Sequence, residues 1–228
     1  MGIIEISKNR FALFGNRSMA GIINDPPGGF VITIDSLGNK VNEFYTPFDM
    51  QDCCVEDLHT DSDNRYIYVS RKMELEGNSL KKMQPIFYIR DENFNVLHRH
   101  EYADTIGVSR FERITPAKEG GWIAVGRLTA PTSSNIRNRY AWIMRLDEEG
   151  KEVWSTQAAL FPDSLPVRFM QQDLYQVVEL SSGSIVAAGN FEWRTGSRDE
   201  RGFLLKVCLL YTSPSPRDAT LSRMPSSA

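Results

Sequence analysis

The chain has 228 residues, 41% of them hydrophobic and 24% charged, with a formal net charge of -3 and a pI near 5.7. That is enough chain for one large core or two small ones, and it argues against the basic face of an electrostatic nucleic-acid binder. No apolar run approaches the ~18 residues that a membrane-spanning helix needs.

Read in order, the chain opens with MGIIEISKNRF, which shows no basic segment followed by an apolar one and so no signal peptide. The apolar runs then fall into four similar units. The first holds IIEIS (3–7), FALFGN (11–16) and FVITIDSLGNKV (30–41). The second holds VEDLHT (55–60), YIYVSR (66–71) and IFYIRDENFNVL (86–97). The third holds FERIT (111–115), WIAVGR (122–127) and WIMRLDEEGKEV (142–153). The fourth holds VVELS (177–181), IVAAGN (185–190) and FLLKV (203–207). The small residues Gly15, Ser70, Gly126 and Gly189 are spaced by 55, 56 and 63, and Asp35, Asp91 and Asp147 lie 56 apart.

The runs are short and rich in β-branched and aromatic residues, as sheets prefer. Turns such as SKNR, TDSDNR, PAKEGG and SSGS carry residues that tolerate tight backbone angles. DSLGNK and DEEGKE place Gly38 and Gly150 where a left-handed conformation is expected. Each unit reads strand, tight turn, strand, long loop, strand, tight turn, strand. Only PVRFMQQDLYQVVEL leaves helix or strand open. The expectation is an all-β fold: a β-propeller of about four four-stranded antiparallel blades, forming a partial or open ring. The blades are expected at about 1–50, 51–106, 107–170 and 171–207. The small residue ending each second strand is expected to permit close backbone approach.

Gly120, Gly121, Trp122, Gly126, Trp142, Leu146, Asp147, Gly150 and Trp154 in the third unit resemble the blade repeat of large bacterial surface and secreted propellers, of the delta-sixty and quinoprotein-like kind. The first unit shares Gly15, Asp35 and Gly38, and the second departs at Ser70 and Phe94. The resemblance implies a fold and leaves function open, because propellers host many unrelated activities.

Candidates for chemistry are few. Asp35, Asp91 and Asp147 recur at one blade position and are read as turn residues capping local N–H groups. HTDSDNR (59–65) falls at a tight turn and lacks the glycine and distal glutamate of a calcium loop. His98 and His100 share a face of an outer strand with no third ligand in view. Asn16–Arg17–Ser18 is a formal glycosylation acceptor. Cys53 and Cys54 are read as two reduced, partly buried thiols, not a strained vicinal disulfide. No catalytic residue, cofactor or metal site is assembled from these pieces.

The long loops, about 16–29, 71–85, 127–140 and 190–202, carry eleven Lys and Arg against six acids. They should emerge on one face, where binding residues concentrate. Arg127, Arg137, Arg139, Arg194, Arg198 and Arg201 are therefore the candidate contacts for an anionic glycan or protein surface.

The favoured reading is a non-enzymatic scaffold or binding module of a bacterial cell-surface or secreted protein. One alternative is a fragment of a propeller enzyme, quinoprotein-like or glycan-degrading. It requires acids or histidines converging from several blades, and the aligned units offer no such set. A second alternative is an intracellular protein-interaction propeller. The segment CLLYTSPSPRD (208–218) resembles the translation of a transposase adapter used in short-read libraries, and its usual continuation matches Ser222 to Ala228. Residues 208–228 are expected to be a non-native, disordered tail interrupting the fourth unit.

Overall fold

A computed structural model of the chain describes residues 1–17, 28–46, 52–76, 79–102, 107–129, 139–158, 170–194 and 198–208. The expected tail lies outside them, apart from Cys208. Among the described residues all regular structure is strand, in four antiparallel sheets whose strands follow chain order. The first sheet contains β1 (Gly2–Ser7), β2 (Arg10–Arg17), β3 (Gly28–Asp35) and β4 (Lys40–Tyr45). The second contains β5 (Asp57–Thr60), β6 (Tyr66–Glu76), β7 (Ser79–Arg90) and β8 (Val96–Glu101). The third contains β9 (Arg110–Pro116), β10 (Trp122–Thr129), β11 (Arg139–Leu146) and β12 (Glu152–Ala158). The fourth contains β13 (Met170–Glu179), β14 (Ile185–Arg194) and β15 (Arg198–Val207). The described part of the ambiguous run, Met170–Glu179, is thus strand, interrupted by a bulge at Tyr175.

The sheets pack face to face in chain order, a partial propeller-like arrangement. Strand β5 lies against β1 and β2, β9 lies against β5, β6 and β7, and β13 lies against β9, β10 and β11. Each junction has its own core. Ala12, Phe14 and Val31 of the first sheet meet Leu58, Tyr66 and Tyr68 of the second. Ile67 and Phe87 of the second meet Ile114, Trp122 and Trp142 of the third. Ile123 and Ile143 of the third meet Leu174, Ile185 and Ala187 of the fourth. A middle sheet is therefore covered on both faces, which is why β10 reads WIAVGRLT without apolar–polar alternation.

The tight turns follow one chemistry. Asp35 Oδ1 accepts from the backbone N–H of Leu37 and Asn39, at 2.9 and 2.8 Å. Asp91 does the same for Asn93 and Asn95, and Asp147 for Glu149 and Lys151. Asp61 caps Asp63 and Arg65 in the same way, so HTDSDNR is a turn of this kind. Gly38 and Gly150 take φ of 83° and 82°. At the equivalent place the second sheet carries Phe94, with φ 63°. A left-handed residue other than glycine costs about 1–2 kcal/mol. Stacking offsets it: the Phe94 ring lies 4.5 Å from Tyr66 and 5.1 Å from Phe44, with Arg90 4.5 Å over Phe44.

Candidate functional site

The expected long loops at 71–85 and 190–202 are mostly strand, since β6 pairs with β7 as far as Glu76↔Ser79 and β14 with β15 as far as Arg194↔Arg198; toward that end of the sheets lies a cluster of charge. It is built by two bulges. Along β9 and β10 the register runs Val125↔Arg113 and then Gly126↔Phe111, leaving Glu112 as the extra residue. Along β13 and β14 it runs Leu174↔Gly189 and then Gln176↔Ala188, leaving Tyr175 as the extra residue. A bulge crowds the opposite strand. A Cβ at Gly126 would sit 2.1 Å from the Arg110 carbonyl oxygen, and one at Gly189 would sit 2.0 Å from that of Asp173. The two glycines are there because nothing larger fits.

The residue after each of these small positions reaches toward an acid. Asn16 Nδ2 donates to Glu56 at 3.2 Å, and Asn16 Oδ1 accepts from Val55 N–H at 2.9 Å. Arg71 Nη1 lies 2.9 Å from Glu56 Oε1. Arg127 Nη1 donates to both oxygens of Asp173 at 3.2 and 3.3 Å, across the junction of the third and fourth sheets. Glu112 accepts from Arg110 Nε. Gln171 Nε2 donates to Asp173 at 3.0 Å. Three acids from three successive sheets, Glu56, Glu112 and Asp173, thus converge with Arg71, Arg110 and Arg127 between them. Among the described residues no group of three or more His, Cys, Asp or Glu is arranged to hold a metal ion.

Burial raises the pKa of Glu112. The Arg110 charge opposes the shift, Glu56 and Asp173 reinforce it, and Arg127 opposes it. Burial also pulls Arg127 down from the usual guanidinium range. Glu112 is the carboxyl in this cluster whose surroundings favour its proton.

This convergence corrects the sequence reading, which found no set of acids gathered from several blades. Glu56 and Glu112 lie 56 apart at one repeat position, whereas Asp173 falls at a different position of the fourth unit, so alignment of the units reveals two of the three. Glu112 points into the cluster only because of its bulge. The signal present in the sequence was the polar residue recurring after Gly15, Ser70 and Gly126, namely Asn16, Arg71 and Arg127.

The candidate loop-face arginines fall differently. Arg127 is buried and engaged by Asp173. Arg139 begins β11, half-buried, opposite Thr129. The backbones of Arg194 and Arg198 face each other at the hairpin end of the fourth sheet. Arg201 is exposed on β15. Arg137 lies outside the described residues.

Beside Arg71, Ser70 Oγ donates to Asp52 at 2.5 Å and Cys53 Sγ donates to the Arg71 carbonyl oxygen at 3.3 Å. Cys53 and Cys54 are fully buried free thiols, with Cys54 Sγ 3.2 Å from Cys53 Sγ. That hydrogen bond from Cys54 pulls the Cys53 thiol down and holds the Cys54 thiol well above its ordinary value. His100 packs edge-on against Tyr102, 4.9 Å away, and burial lowers its pKa.

Comparison with protein-family models finds no match, and comparison with curated proteins finds no significant one.

Proposed function

We propose that this chain is a propeller scaffold serving as a non-enzymatic binding module of a bacterial cell-surface or secreted protein, its loop-bearing end turned toward an anionic glycan or protein surface. The observation that supports this most is the way the converging acids are held. Glu56 is held by Arg71 and Asn16, Glu112 by Arg110, and Asp173 by Arg127 and Gln171. Asn16–Glu56 and Arg127–Asp173 fasten neighbouring sheets, while the other pairs hold each acid within its own sheet, and together they make a rigid base of the kind that a binding surface requires. Of the candidate cations, Arg201 is exposed on β15, three residues along that strand from Arg198.

The propeller-enzyme reading is favoured by one residue. Glu112 is a carboxyl shifted upward by burial where three sheets meet, which is the environment of a general acid.

The test is salt-dependent binding of the whole chain to a uronic-acid polysaccharide, compared with a variant carrying Arg137→Ser, Arg139→Ser, Arg198→Ser and Arg201→Ser. The expected result is binding that weakens with salt and falls at least tenfold in the variant. Absent or unchanged binding overturns the proposal. Hydrolysis of the polysaccharide abolished by Glu112→Gln would favour the enzyme instead.

A further inference from the structure

The segment just before β5 is wedged between the first and second sheets. Cys53 N–H donates to the Arg71 carbonyl oxygen at 3.2 Å, and Glu56 N–H to that of Val69 at 3.0 Å. Cys53 Sγ donates to the same Arg71 oxygen at 3.3 Å. Asn16 of the first sheet accepts the Val55 N–H at 2.9 Å and donates to Glu56 at 3.2 Å. The two backbones also touch: a Cβ at Gly29 would sit 2.7 Å from Val55 N and 2.8 Å from the Cys54 carbonyl carbon. The segment therefore cannot shift without disturbing its junction with the first sheet. Within it the Cys53 and Cys54 sulfurs are 3.2 Å apart and fully buried. Beside them Arg71 Nη1 is paired with Glu56, while Arg71 Nε–H is buried with no acceptor among the described residues. A cation and a spare N–H beside a thiol favour its thiolate, the form that reacts with oxidants. The Cys53 thiol is pulled down accordingly, first by the hydrogen bond from Cys54 and then, against burial, by the Arg71 charge.

We propose that Cys53 and Cys54 form a peroxide-responsive modification site, in which a small hydroperoxide joins the two sulfurs and loosens the hold of this segment on the first sheet. The Cys53 thiolate attacks one oxygen of hydrogen peroxide. The O–O bond breaks, a sulfenic acid forms on Cys53, and hydroxide leaves and takes up the proton that the thiol released. The Cys54 sulfur then attacks the Cys53 sulfur. The S–O bond breaks, the S–S bond forms, and hydroxide leaves as water with the Cys54 proton. The cysteines lose two electrons and the peroxide gains them, so two thiols and one peroxide become one disulfide and two waters. Full burial selects the oxidant: hydrogen peroxide is uncharged and close to water in size, whereas a bulky disulfide such as oxidised glutathione does not reach either sulfur in the folded chain. Neighbouring Cα atoms stand ~3.8 Å apart across a trans peptide, less than the ~4.4–6.8 Å that disulfides span. Closing the ring therefore reshapes the Cys53–Cys54 peptide and draws the Cys53 and Val55 N–H groups off their acceptors, and Glu56 with them. A strained bond of this kind is readily reduced again, as a reversible modification requires. The inference rests on this segment alone and stands whether or not the loop end binds an anion.

The test treats the reduced full chain with hydrogen peroxide, blocks the remaining thiols with iodoacetamide in denaturant and maps the tryptic peptide 41–65, which holds both cysteines. The expected product is that peptide lacking two hydrogen atoms and carrying no alkyl group, restored to two alkylated cysteines by dithiothreitol. Oxidised glutathione at the same concentration should form it at least tenfold more slowly. In the oxidised chain the Cys53 and Val55 amide hydrogens should exchange at least tenfold faster, with those of β10 unchanged. Cys54→Ala should stop at a Cys53 sulfenic acid that dimedone traps. The map of the parent chain needs no variant and decides by itself. A pair that stays open to alkylation overturns the proposal. So does a pair that ends as separate sulfinic or sulfonic acids, a disulfide to the exposed Cys208, or amide exchange that oxidation leaves unchanged.

Discussion

Ile143 of the third sheet and Leu204 of the fourth are both branched aliphatic residues at the same place on the same kind of strand. One is completely buried and the other is almost as exposed as a free side chain. Nothing in the local sequence separates them: WIMRL and FLLKV are equally apolar. The difference is the neighbouring sheet, present in one case and not among the described residues in the other. Stability in such a stack is a sum of sheet terms and junction terms. A side chain contributes according to which junction it belongs to, and a strand's own propensity says little about that.

Features internal to one sheet should not follow this rule. Gly126 and Gly189 are crowded by their own sheet's bulge, not by the next sheet. Gly126→Ala and Gly189→Ala should therefore each cost about 3 kcal/mol, the upper end for overpacking, despite their different neighbours. Urea unfolding measures both. A loss at Gly126 with none at Gly189 would mean that the terminal sheet is not built like the others.

A smaller effect separates the junction cluster from the outer turns by the sign of its pH dependence. Burial raises the Glu112 pKa above its unfolded value, so its contribution to stability is full at low pH and is lost as pH rises through the folded value. The Asp91 pKa is lowered, first by the side-chain hydrogen bond from Asn95, so its contribution is full at neutral pH and is lost as pH falls. Melting temperatures between about pH 3 and pH 7 should show Glu112→Gln gaining on the parent chain as pH rises. Asp91→Ala should instead lose most at the neutral end. Parallel curves would contradict the assignment of the two environments.

The strands, the turn aspartates and the crowded glycines were legible in the sequence because each depends on neighbours within one hairpin. The 56-residue spacing of Asp35, Asp91 and Asp147 carries that information directly. Phe94 was visible as a departure, but its left-handed backbone depends on Tyr66 and on Phe44 of the first sheet. The acid cluster was legible only in part, through Glu56 and Glu112, which lie 56 apart. A bulge adds one residue and redirects Glu112, and Arg127 finds Asp173 only through packing of the third sheet on the fourth. Arg127 consequently changes from a candidate surface contact to part of the frame beneath the loops.

Ile143 and Leu204 differ most in what the adjoining sheet confers on them. Ile143→Ala and Leu204→Ala should be unfolded in urea. The expected losses are about 2–5 kcal/mol at Ile143, from the cavity left at a covered junction, and under about 0.5 kcal/mol at Leu204, an open face. Equal losses at the two positions would contradict the claim that burial in this molecule is conferred by the adjoining sheet.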